Sequence, residues 1–137
     1  MRLLEHGIVG VAGGLLYVGV EFLYRGRSHV SMFFVGGLCF WAIGMLDRAA
    51  PGLPLTAQAV LGAALVTALE LVSGLALNVG LGLEVWDYSG CPLNLCGQIC
   101  LPYSLLWIPL SLAAALTDDL LRFLLFRQPF PPYRWLL

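Results

Sequence analysis

The apolar residues of this chain are concentrated in four long runs, separated by short stretches rich in charge, glycine and proline. The runs cover approximately residues 3–22, 30–46, 55–78 and 98–116. A helix needs about 20 predominantly apolar residues to cross the hydrocarbon core of a bilayer. The pattern therefore predicts an all-α fold, an integral membrane bundle of four transmembrane helices that forms a single domain.

The stretches between the runs predict how the helices are connected. Residues 47–54, DRAAPGLP, have the composition of a tight turn. Residues 79–97 combine several glycines with Trp86 and Tyr88, and these aromatic residues favour the level of the lipid headgroups. We therefore expect an interfacial cap segment between the third and fourth helices. The tail, residues 120–137, alternates arginine with aromatic residues and is expected to lie at the membrane interface.

Composition agrees with a membrane location. Of 137 residues, 60% are hydrophobic and 11% are charged, whereas a soluble domain carries roughly 25% charged residues. The formal net charge is -1, and the seven basic residues, all arginines, are spread along the chain. The sequence therefore indicates no binding of nucleic acid, and membrane lipid is the expected surrounding.

The distribution of arginine predicts the orientation of the bundle. With four spans, five arginines lie on the side of the termini and of the middle turn, and two lie on the opposite side. These are Arg2, Arg48, Arg122, Arg127 and Arg134 on the first side, and Arg25 and Arg27 on the second. Because positive charge accumulates on the cytoplasmic side, we expect both termini in the cytoplasm and the cap segment outside.

Glu70 is the most informative residue, because it lies inside the third apolar run. A carboxylate in hydrocarbon costs on the order of 2.5 to 3.5 kcal/mol on insertion scales. Glu70 must therefore be protonated, paired or exposed to a wet cavity. Gly74 and Asn78 follow near the same helical face, so that the stripe predicts a cleft. A structural hydrogen bond to another helix is the alternative.

Other charged residues near the ends of the runs have helical partners within reach. Glu21 lies four residues before Arg25, and Asp118 lies four residues before Arg122. This spacing favours ion pairs on one helical face. Glu21 is kept as a second candidate binding residue, whereas Asp118 and Asp119 are expected to end the fourth span.

The cap segment brings donors, acceptors and aromatic faces into a short stretch of chain. Its candidate binding residues are Trp86, Asp87, Tyr88, Asn94 and Gln98. Such a set can bind a polar small molecule or a lipid headgroup. It can equally satisfy the backbone of its own loop, as Asp and Asn commonly do. The residue types in this segment are compatible with both interpretations.

The sequence contains no recognisable catalytic motif. It has no Ser-His-Asp set, HExxH, P-loop or GxSxG, and we assign no catalytic residue, metal site or cofactor. The spacing of Cys91, Cys96 and Cys100 matches no metal or haem motif, and spacing alone does not show which sulfur atoms meet.

Three stretches resemble a known family: RGRSHVSMFFVGGLCF at 25–40, Glu70 with Gly74, and WDYSGCPLNLCGQICLPYSLLW at 86–107. Together they are similar to the small bacterial membrane proteins of the Putative ABC-transporter type IV (CmpB-like) family. The resemblance implies a transport role in the bacterial inner membrane. It supplies no catalytic residues.

These observations lead to three hypotheses for function. The first is a homo-oligomeric membrane protein that binds or translocates a small solute or a lipid at Glu70, beneath the cap. The second is a non-transporting subunit or scaffold that docks another membrane protein. The third is a small intramembrane enzyme in which Glu70 and Asp87 act as acid and base.

Overall fold

The structure is a computed structural model, which describes residues 2–135. Five α-helices, one π-helical turn and one two-stranded hairpin follow one another along these residues. They are α1 (Leu3–Arg25), α2 (Val30–Gly44), α3 (Leu46–Ala49), α4 (Leu55–Gly74), the π-helical turn (Leu75–Gly80), β1 (Asn94–Leu95), β2 (Ile99–Cys100) and α5 (Leu101–Phe126).

Four helical segments are long and apolar enough to cross a membrane. They comprise Leu3–Arg25, Val30–Ala49, Leu55–Gly80 and Leu101–Phe126. The predicted fold class is therefore confirmed, and the segment between the third and fourth long helices contains the small β1–β2 hairpin. In this hairpin Asn94 pairs with Cys100 and Leu95 with Ile99.

The fourth long helix differs most from its predicted bounds. It begins at Leu101 and not at 98, because the preceding residues form β2. Pro102 consequently lies in its first turn, where a missing N–H costs little, and α5 continues through Pro109. The helix also continues beyond Asp118 and Asp119 to Phe126, so these two residues do not end it. Both carboxylates are buried against partners.

Glycines allow α1 and α2 to pack closely as a helical hairpin. A Cβ atom on Gly37 would lie 2.5 Å from the carbonyl oxygen of Gly10, and Gly13 and Gly14 face the side chains of Phe40 and Phe33. In lipid, the hydrophobic effect does not drive helices together, and such small-residue contacts allow close van der Waals packing of the backbones instead. Helices α4 and α5 form the second hairpin, and the two hairpins pack against each other.

Apolar side chains form two buried clusters between these elements. One contains Cys39 and Ile43 of α2, Val66 of α4 and Ala115 of α5. The other contains Met32, Val85 and Trp86, and it lies where the cap meets α2. Trp107 packs on the first cluster and Tyr17 on the second. Since these two rings stack on each other, the two clusters adjoin.

Candidate functional site

Glu70 of α4 lies inside the bundle, with 5% of its surface exposed. Trp107 of α5 donates a hydrogen bond from Nε1 to Glu70 Oε1 at 2.9 Å. The other carboxylate oxygen, Oε2, is buried and accepts no hydrogen bond from any described residue. An unsatisfied buried polar atom is rare in folded proteins and calls for an explanation.

Aromatic and sulfur-containing side chains surround this carboxylate. Tyr17 of α1 stacks on Trp107, with ring centroids 6.3 Å apart and an interplanar angle of 26°. Cys39 of α2 belongs to the apolar cluster on which Trp107 packs. The site therefore draws on all four long helices, since α1, α2, α4 and α5 each supply a neighbour.

Four predicted site residues form a hydrogen-bonded layer in which the cap joins α4. Trp86 Nε1 donates to the carbonyl of Gln98 at 3.0 Å, and Asn78 Nδ2 donates to Gln98 Oε1 at 2.7 Å. Gly74 provides the space for this layer, because a Cβ there would lie 2.5 Å from Gln98 Oε1 and 3.0 Å from Trp86 Cζ2. The structure thus brings Gly74, Asn78, Trp86 and Gln98 together, in a layer that begins at Gly74, about one helical turn after Glu70.

Two other cap residues, Asp87 and Asn94, shape the loop. Both are exposed. The backbone N–H of Ser89 donates to Asp87 Oδ1 at 2.8 Å, and this bond lowers the pKa of Asp87. Asn94 Nδ2 donates to the carbonyl of Cys91 at 2.9 Å, while Gly97 N–H donates to Asn94 Oδ1 at 3.1 Å. Their visible contacts are with the cap's own backbone.

Tyr88 connects the cap to the buried site. Its ring stacks on Tyr103 of α5 at 4.8 Å and 9°, and its backbone N–H donates to the carbonyl of Gly97 at 2.7 Å. Burial raises the pKa of the Tyr88 hydroxyl, and the nearby charge of Glu70 raises it further. Tyr88 is therefore a neutral aromatic group within electrostatic reach of Glu70.

Glu21 makes the ion pair expected from its spacing. It is 6% exposed, and its Oε1 lies 3.7 Å from Nη1 of Arg25. Arg25 also donates from Nη2 to the carbonyl of Val85 at 3.2 Å. Glu21 therefore belongs to a connection between α1 and the cap.

A second polar cluster, at the opposite end of the long helices, was not expected from the sequence. Asp118 is fully buried, and both of its oxygens accept from Arg122 Nε, at 3.0 and 2.9 Å. Arg48 lies 3.2 Å from Asp118 Oδ2 and 3.9 Å from Asp119 Oδ1. Tyr133 of the tail donates to Asp119 Oδ2 at 2.9 Å. The Asp118–Arg122 spacing indicated one ion pair, but no local signal shows that Arg48 reaches it from α3.

The surface grooves are separate from Glu70. One shallow groove of about 370 Å³ lies between α4 and α5 and includes Thr67 and Ser104, whose hydroxyls lie 3.1 Å apart. Another, of about 380 Å³, lies between α2 and α4 and includes Phe34 and Val72. Glu70 lines neither groove.

The remaining candidate chemistry concerns cysteine and metals. Cys39, Cys91, Cys96 and Cys100 are free thiols. Within residues 2–135, no group of three or more His, Cys, Asp and Glu side chains is arranged to hold a metal ion.

These features define a class: a multi-pass helical membrane protein with four spans and a buried carboxylate beneath a hairpin cap. The family described as Putative ABC-transporter type IV matches residues 8–124. The chain belongs to this family, which confirms the resemblance seen in the sequence. No curated protein and no solved structure matches the chain.

Proposed function

We propose that the protein is a membrane transport subunit that binds a small solute or a lipid at Glu70, with the cap closing the site on one side. The observation that carries this proposal is the buried Glu70 Oε2, which has no hydrogen-bond partner among residues 2–135. Membership of the transporter family supports the same role.

The free energy of a buried carboxyl group explains why a ligand is expected. A polar atom that loses water without gaining a partner costs roughly 1 to 3 kcal/mol. A purely structural Glu70 would be expected to satisfy both oxygens, as Asp118 does with Arg122. Trp107 satisfies only one oxygen of Glu70, and a bound molecule would satisfy the other.

The position of Glu70 between the two hairpins supports a transport role. On the cap side, α1 is connected through Arg25 to the carbonyl of Val85. At the opposite end, Arg48 of α3 is connected to Asp118 of α5. We propose that these polar contacts close the two ends alternately, because small rigid-body movements of packed helices are a common way to open a site to one side.

The chain is expected to act together with other copies of itself or with another membrane subunit. Its sequence has no nucleotide-binding P-loop. A single bundle of four helices is also small for enclosing a transport pathway. Large apolar side chains such as Leu23, Phe34 and Val72 are exposed on its outer surface, where lipid or a second copy would cover them. We propose a homo-oligomer in the bacterial inner membrane.

The geometry gives less support to the proposed enzyme. Asp87 is exposed and is held by Ser89, whereas Glu70 is buried and is held by Trp107. No hydrogen bond among the described residues joins the two carboxyl groups. They are therefore not arranged as an acid and base pair.

Native mass spectrometry of protein released gently from its own membranes tests the proposal. Wild type is compared with Glu70→Gln, which preserves shape and removes the charge, and with Glu84→Gln as the matched control. Glu84 is an exposed carboxylate of the cap segment and is not one of the candidate binding residues. We expect a bound small molecule or lipid in the wild type and in Glu84→Gln, and its loss in Glu70→Gln.

Two results would argue against the proposal. A bare oligomer that is the same in all three proteins would make Glu70 structural. A stoichiometric complex with another membrane protein, unaffected by Glu70→Gln and without a small ligand, would favour the docking subunit.

A further inference from the structure

We infer that the ligand of Glu70 is a small monovalent cation of the ammonium class, which takes the place of the proton on this carboxyl group. This inference rests on the proposed function and adds the chemical class of the solute. It follows from three features of the site: its uncompensated negative charge, its aromatic neighbours Trp107 and Tyr17, and its single carboxylate.

No positive charge of the described chain compensates Glu70. None of the ion pairs formed within residues 2–135 includes it. Arg25 is engaged by Glu21 and by the carbonyl of Val85. The arginines at the other end pair with Asp118 and its neighbours.

The titratable groups of neighbouring elements that interact electrostatically with Glu70 are all acids. They are Tyr17 of α1, Cys39 of α2 and Tyr88 of the cap, and α5 contributes the neutral donor Trp107. A tyrosine or a cysteine is either neutral or negative, so none of them can balance a carboxylate. The site becomes neutral only when Glu70 holds a proton or when a cation enters.

The aromatic neighbours favour an ammonium group over a metal ion. An ammonium N–H can donate to the unpartnered Oε2 of Glu70. Aromatic surroundings suit an organic cation: Trp107 donates its indole N–H to the other oxygen, and Tyr17 stacks on Trp107. A Ca²⁺ or Mg²⁺ ion instead needs about six or more oxygen ligands, and a Zn²⁺ ion needs about three or four His, Cys or carboxylate ligands. No such group of acidic, histidine or cysteine side chains occurs in the described part of the chain.

The exchange conserves charge and atoms. Glu70 with its proton and an ammonium cation become a Glu70 carboxylate paired with that cation, and one proton passes to the solvent. No bond to carbon forms or breaks, and no oxidant is required. Because the proton competes with the cation, affinity should increase about tenfold per pH unit while Glu70 of the unliganded protein is protonated.

The test uses the full chain purified in a neutral detergent, with methylammonium, dimethylammonium and tetramethylammonium chloride as probes. Binding is measured by calorimetry in two buffers of different ionisation enthalpy, which also gives the number of protons released. We expect at least one probe to bind with release of about one proton per cation. Binding should persist in Glu84→Gln and disappear in Glu70→Gln.

Glu70→Asp provides a second variant that retains the ionisable group. It should bind the same probe more weakly and still release a proton, which distinguishes loss of charge from a failure to fold. N-methylacetamide serves as the uncharged probe of similar size, and sodium chloride as the inorganic cation.

Several outcomes would overturn the inference. These are binding without proton release, equal binding of N-methylacetamide, binding of sodium in preference to every ammonium probe, or binding of no probe at all. If native mass spectrometry nevertheless shows a neutral or anionic molecule that Glu70→Gln removes, the proposed function stands and only the cation is wrong. If Glu70→Gln removes nothing, both proposals fail.

Discussion

Asn78 forms two hydrogen bonds with the cap segment through one side-chain amide. Its Oδ1 accepts from the backbone N–H of Val85, and its Nδ2 donates to Gln98 Oε1, both at 2.7 Å. One amide thus fastens both ends of the cap to the π-helical turn that ends the third long helix. Such turns often occur at functional sites, and here the turn directs Asn78 toward the cap.

Replacing Asn78 by alanine should loosen the cap. The Val85 N–H would lose its partner, so we expect the free energy of unfolding to fall by roughly 1 to 3 kcal/mol. Backbone amides of residues 85–98 should exchange hydrogen faster. Hydrogen–deuterium exchange and thermal unfolding in detergent measure these effects.

Asn78→Asp is the matched control for this prediction. It keeps the acceptor for Val85 and replaces the donor to Gln98 by an acceptor oxygen, so amides near Gln98 should exchange faster while the Val85 amide stays protected. Equal exchange in wild type and in Asn78→Ala would show that the cap is held by other contacts.

At the scale of elements, the close approach of α1 and α2 depends on glycine. Gly37 faces the backbone of Gly10, and no side chain lies between the two helices at this point. Other glycines of α1 differ in their surroundings: Gly7 and Gly10 have open space where a side chain would begin, whereas Gly14 faces Phe33.

Gly37→Ala should therefore destabilise the first hairpin. The added methyl group would overlap a backbone carbonyl, which cannot rotate away, and overpacking of this kind costs typically about 1 to 3 kcal/mol. The midpoint of unfolding by dodecyl sulfate or heat should fall accordingly.

Gly7→Ala offers a comparison of the same chemical change on an open surface. It should leave the midpoint unchanged or raise it slightly, because alanine favours helix over glycine. A Gly37→Ala protein as stable as Gly7→Ala would mean that the two backbones are further apart than in this structure.

At the scale of the whole molecule, the buried charged residues lie at the two ends of the bundle and at one point between them. Glu21 and Arg25 are near the cap, Glu70 lies farther into the bundle, and Asp118 with its partners is at the other end. The tail covers this second end, since the carbonyl of Arg134 accepts from the N–H of Leu55 at 2.6 Å. The predicted interfacial tail thus also caps the first turn of α4.

The distribution of arginine predicts that the cap faces the outside of the cell. Cys96 is exposed in the cap and is a natural site for labelling. In a variant that retains Cys96 and has serine at the other three cysteines, a membrane-impermeant maleimide should label intact cells.

The control variant is Ala50→Cys in a chain without native cysteines. It places the only thiol in the turn at the end of the bundle opposite the cap. Ala50 is exposed, and it should react only after the membrane is opened. Labelling of Ala50→Cys but not of Cys96 in intact cells would show that the orientation is the opposite of the predicted one.

The four spans could be recognised from the sequence, because the length and apolarity of each helix are local properties that the membrane selects. For the same reason Glu70 stood out as a charged residue within an apolar run. The ion pairs of Glu21 with Arg25 and of Asp118 with Arg122 were also predictable, since four residues bring two side chains to one helical face.

Only the tertiary structure decided which residues meet from distant parts of the chain. It pairs Trp107 with one oxygen of Glu70, divides the cap into residues that join α4 and residues that shape the loop, and brings Arg48 to Asp118. Hydropathy and helical spacing describe one helix at a time. The contacts that leave Glu70 Oε2 without a partner depend on how the helices pack, which no local pattern in the sequence specifies.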